Sequence, residues 1–82
     1  MQDKMEASLS VLIMSLASSA VMAMGLAPDP STGQTAKDKN MARFNIDLLV
    51  VLQQKTKGNL TADEAQFLDN LINDLQLKFV SV

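Results

Sequence analysis

The sequence predicts an all-α protein: a three-helix protomer of one helix, a Pro/Gly corner and an antiparallel helical hairpin, assembling into an oligomeric helical bundle. Three observations predict it. Residues 9–27, LSVLIMSLASSAVMAMGLA, run without a charge in a chain that carries 7 Lys+Arg and 9 Asp+Glu. Hydrophobic residues make up 48% and aromatics only 4%, an aliphatic mixture that suits helices better than strands. Gly58, Thr61 and Glu64 mark the stop of one helix and the start of another a few residues apart.

A chain of 82 residues holds one small domain, residues 1–82. Such a domain hides only about 60% of its unfolded surface, so its margin over chain entropy is thin. There is no Cys and no His, which excludes disulfides and the common zinc and iron sites. Self-association is the remedy that remains. A net charge of −2 and the absence of basic runs and stacking aromatics argue against a nucleic-acid partner.

The first helix is expected over about residues 4–24, with Asp3 and Glu6 as its start signal and Gly25 as its stop. At 100° per residue, Leu9, Leu12, Ile13, Leu16, Ala20, Ala23 and Met24 share one face. The opposite face carries Val11, Ser15, Ser18 and Met22, flanked by Ser8 and Ser19. A helix apolar or small all round needs neighbours all round, and its serines let a second helix approach closely. The alternative inserts residues 9–27 in a bilayer, giving an inner-membrane-associated accessory protein. The run barely reaches the length of a span, holds four Ser, and lacks flanking Lys/Arg bias or interfacial aromatics. Acids at Asp3 and Glu6 likewise fit poorly with the basic start of a secretory signal. The buried bundle helix is the preferred reading.

Residues 25–37 form the loop. Pro28 blocks the helix, and Asp29, Pro30 and Gly33 are turn chemistry. Asp29, Ser31 and Thr32 resemble calcium ligands, but without the spacing of a calcium loop they read as a corner bonding its own backbone.

The second helix is expected over about residues 38–57, with Met41, Phe44, Leu48, Val51 and Leu52 as its main buried stripe and Leu49 at its margin. Ile46 and Val50 fall on the other side, where they read as a second contact surface. The third helix is expected over about residues 62–80. Ala65, Leu68, Leu71, Ile72, Leu75 and Phe79 form the inward stripe there, with Phe67 at its edge, against a polar side of Asp63, Glu64, Asp69, Asn70, Asn73 and Asp74. Leu77, Val80 and Val82 add apolar surface near the end.

No nucleophilic triad can be assembled without His or Cys, and no phosphate-binding glycine loop is present. The acids of the third helix face water, where carboxylates keep ordinary pKa values and make poor acid–base catalysts. A non-enzyme without cofactor or metal is expected.

With the helices placed, the chain resembles the bacterial family catalogued as domain of unknown function 1844. The SLASSA run at 15–20, GLAPDPSTG at 25–33, IDLL at 46–49 and LQQKTKGNLT at 52–61 carry the resemblance. So do Glu64 and the ladder of Leu68, Leu71 and Leu75. The resemblance implies a small, cytoplasmic bacterial protein and brings no catalytic residue or cofactor with it. The reading is therefore a structural or interaction module, a homo-oligomer that also presents a helical surface to a protein partner. Its interface residues are Val11, Ser15, Ser18, Ser19, Met22, Ile46 and Val50.

Overall fold

A computed structural model describes residues 8–82. Three helices follow in order: α1 (Leu9–Ala23), α2 (Lys39–Lys55) and α3 (Ala62–Val80). Packing is most extensive between α1 and α2, less between α2 and α3, and least between α1 and α3. The Cα atoms span 37 × 37 × 16 Å, a plate rather than a ball.

Each helix start has a side-chain cap. Ser8 lies in extended backbone, and its hydroxyl accepts from the Val11 N–H at 3.2 Å. This places the first helix start at Leu9, whereas the sequence pointed to about residue 4; the Asp3/Glu6 signal itself lies outside the described residues. Asp38 caps α2 by accepting from the Met41 N–H at 3.1 Å. At α3 the capping box forms in full: the Thr61 hydroxyl accepts from Glu64 N–H at 3.1 Å, and the Glu64 carboxylate accepts from Thr61 N–H at 2.9 Å.

The loop between α1 and α2 is a corner held by its own polar groups. Gly25 turns the chain at φ +79°, and an antiparallel bridge then pairs Met24 with Lys37. Asp29 accepts from both the N–H and the hydroxyl of Ser31, at 2.9 and 2.7 Å. The Gly33 N–H donates to the Asp29 carbonyl at 2.7 Å, and the Asp29 N–H to the Gln34 carbonyl at 2.9 Å. These bonds hold Asp29 below the usual carboxylate range, chiefly through the Ser31 hydroxyl and then the Ser31 N–H.

The core is one cluster. Ile13, Ala17, Ala20 and Met24 come from α1 and its cap, Ala42, Ile46 and Leu49 from α2, and Leu68, Ile72 and Leu75 from α3. Ala20 and Ala42 have no exposed surface at all, which marks the places where the helix backbones come near one another. At the far side of the hairpin, the Lys39 ammonium lies 5.3 Å from the centre of the Phe79 ring.

The expected α2 stripe is only partly inward: Leu52 packs against the core and Leu48 is half-buried, but Met41, Phe44 and Val51 have exchanged places with Ile46 and Val50. Ile46 is 4% exposed and Val50 is half-buried against the core, while Met41, Phe44 and Val51 stand 48%, 54% and 47% exposed. Hydrophobic weight alone favours the Met41/Phe44/Val51 side. The core instead selects the side whose small residue, Ala42, allows close approach to α1. Asn45 shares that buried side at low cost, because its amide donates to the Met41 carbonyl at 2.9 Å.

Candidate interaction surface

The residues singled out in the sequence fall into three groups in space. Val11, Ser15 and Ser18 lie on the open side of α1, which has no ionisable group along its whole length. Val11 and Met14 are each about half exposed there. The Ser15 hydroxyl donates to the Val11 carbonyl at 2.9 Å, so Ser15 presents outward as a small, hydrogen-bond-satisfied group. Ser19 and Met22 are half-buried at the α1–α2 seam, where they line a hollow of about 460 Å³ with Met41, Asn45 and the corner. Ile46 and Val50 belong to the interior and offer nothing to a partner while the protomer is folded.

The seam hollow has polar lining, but its polar groups are engaged locally. Asp29 is held by Ser31, and the Thr32 hydroxyl accepts from Gln34 N–H at 3.2 Å. Asp38 caps α2, and Asn45 donates within α2. Each of these groups is thus engaged with backbone or side chain a few residues away in sequence. Among the described residues, no group of three or more acidic side chains could hold a metal ion. The ion pairs Arg43–Asp47 and Asp74–Lys78 join side chains largely open to water, where such pairs contribute little.

Several large apolar side chains stand exposed. Besides Val11 and Met14, they include Leu12, Met41, Phe44 and Val51 on the α1–α2 side, and Leu77 at 69% and Val80 at 77% on α3. Leu12 was assigned inward from its wheel position and stands 48% exposed, because α2 covers only part of that side. The sequence reading also missed Met41, Phe44 and Val51 as surface groups. Their signal was present as the second apolar side of α2, with the inside and outside labels exchanged.

The fold thus defines a small all-α protein with apolar helical surface left uncovered. The chain belongs to the family described as Domain of unknown function (DUF1844), whose family model matches residues 6–81. No curated protein and no solved structure matches it.

Proposed function

We propose that this protein is a small structural and interaction module, non-catalytic and cofactor-free, that self-associates through its uncharged first helix. In this reading it works in the cytoplasm of a bacterial cell and presents its remaining helical surface to a protein partner. The observation that carries the proposal is the state of α1. This helix has no ionisable residue, yet Val11, Leu12 and Met14 each leave about half their surface open in the single protomer. Exposed apolar groups concentrated in this way are characteristic of association surfaces.

Insertion in a bilayer fits α1 less well. Its 15 residues rise about 23 Å, short of the roughly 30 Å hydrocarbon layer. The chain then turns at Gly25, inside the stretch of residues 9–27 that would have to continue as a span. No helix among the described residues is long and apolar enough to cross a membrane.

The test is the mass of the protein in detergent-free buffer, by light scattering on a sizing column. A discrete multiple of the 8.9 kDa protomer supports the proposal, and a stable monomer overturns it. Ser15→Arg, which sets a long cation on the open side of α1, is expected to shift the mass toward one protomer.

A further inference from the structure

The hollow at the corner end of the α1–α2 seam has a buried acceptor inside and two acids at its mouth. Of the residues that line it, Asn45 alone is buried, at 7% exposed. Its amide N–H donates to the Met41 carbonyl, which fixes the way the amide lies. The side-chain oxygen of Asn45 then has no hydrogen-bond partner among the described residues. An orphaned buried oxygen beside open space marks a place where a donor from outside the chain fits.

Asp29 and Asp38 line the same hollow from exposed positions, and each commits only one carboxylate oxygen. Oδ1 of Asp29 takes both bonds from Ser31, and Oδ1 of Asp38 takes the Met41 N–H. No Lys or Arg lines the hollow. The ion pairs among the described residues, Arg43–Asp47 and Asp74–Lys78, involve neither acid. Lys39 follows Asp38 in sequence, but its ammonium lies over the Phe79 ring. The hollow therefore carries negative charge that the chain itself does not offset.

We propose that this hollow binds a primary alkylammonium group, the cation of an aliphatic amine. One N–H meets the Asn45 oxygen, Asp29 and Asp38 offset the charge, and the alkyl chain lies against Met22 and Met41. The lining decides against other ligands. An anion would meet two carboxylates. A quaternary ammonium calls for an aromatic cage, and no aromatic residue lines the hollow. Calcium calls for about six to eight oxygens, whereas the side chains of Met22, Ala23, Ala36 and Met41 offer none. A neutral alcohol would serve Asn45 and leave both acids without a counter-charge. An ammonium brings donors only, which is what an acceptor-rich site requires. The volume of about 460 Å³ falls within the roughly 300–1,000 Å³ of small-molecule sites. Every group invoked belongs to one protomer, so the site stands apart from self-association.

The test titrates the isotope-labelled full chain with butylammonium chloride at constant ionic strength, followed by amide proton–nitrogen correlation spectra. Saturable shifts are expected for the Asn45 side-chain amide and for the backbone amides of Asp38 and Met41. Sodium butyrate and calcium chloride at the same concentrations should leave those signals in place. Asp38→Asn removes the charge while keeping a side chain that caps helices well, and should weaken binding about tenfold or more. Asn45→Ala is expected to weaken it to a similar degree. If Asn45→Ala loses the dispersed spectrum of the folded protein, Asp38→Asn decides alone. A response that does not saturate, equal shifts from calcium chloride, or an affinity unchanged by Asp38→Asn would each overturn the site.

Discussion

The backbone amide of Asp38 donates to the carbonyl of Ala23 at 2.7 Å, fastening the start of α2 to the end of α1. That bond depends on the turn at Gly25, whose φ is +79°. A Cβ added there would sit 3.4 Å from the Lys37 Cβ, on top of the strain that a side chain meets in this backbone region. Gly25→Ala is expected to lower stability by about 1–2 kcal/mol, measured as a shift of the urea midpoint. Gly33→Ala, with the same sign of φ and open space around it, should cost no more than Gly25→Ala.

Asp29 makes the corner sensitive to acid. Its carboxyl is held below its ordinary value by the Ser31 hydroxyl and N–H, so the folded protein binds this proton less readily than the unfolded chain. The contribution is complete above the unfolded aspartate value of about 4 and is lost as pH falls through the lower folded value. Asp29→Asn should therefore narrow the difference in melting temperature between about pH 6 and pH 3. An unchanged difference would remove Asp29 from the account.

The hairpin connection rests on the reciprocal Thr61–Glu64 cap. Thr61→Ala removes the acceptor for the Glu64 N–H and is expected to cost about 1 kcal/mol. Thr61→Ser keeps the hydroxyl and should recover most of that loss in the same denaturation experiment.

The exchanged faces of α2 separate two kinds of loss. Leu49 is fully buried, so Leu49→Ala should destabilise by about 2–5 kcal/mol at every protein concentration. Phe44 is 54% exposed in the protomer, so Phe44→Ala should cost the protomer much less than Leu49→Ala. If Phe44 takes part in the proposed self-association, the effect of Phe44→Ala on melting temperature will change with protein concentration, and a concentration-independent effect would exclude it.

Most of the third helix was legible because its two sides differ in kind, although Ala65, placed on the inward stripe, stands exposed and Val82, read as surface, packs against the core. Asp63, Asp69 and Asp74 cannot be buried unpaired, which leaves Leu68, Ile72 and Leu75 to face inward. On α2 both sides are apolar, so the wheel identifies two stripes without saying which is inside. That choice was made by tertiary fit, through Ala42 and the self-bonded Asn45. On α1 the buried Ile13, Ala17 and Ala20 fall along or beside the anticipated side, and Val11, Ser15 and Ser18 lie opposite as expected. Leu12 escaped the reading because its exposure depends on how far a neighbouring helix reaches. Exposure was legible only in part: Val11, Ser15 and Ser18 stand open, Ser19 and Met22 are half-buried, and Ile46 and Val50 turn inward while Met41, Phe44 and Val51 turn outward.

The order of the elements along the chain has a consequence during synthesis. Residues 9–23 leave the ribosome before any of the residues that cover them in the folded protomer. The last core contact from α3, at Phe79, follows some seconds later at ordinary elongation rates of about 5–20 residues per second. For that interval an uncharged apolar segment has neither its hairpin nor a neighbour to lie against. Newly made chains are then exposed to mispairing with one another, and the nascent α1 is a natural stretch for a chaperone to shield.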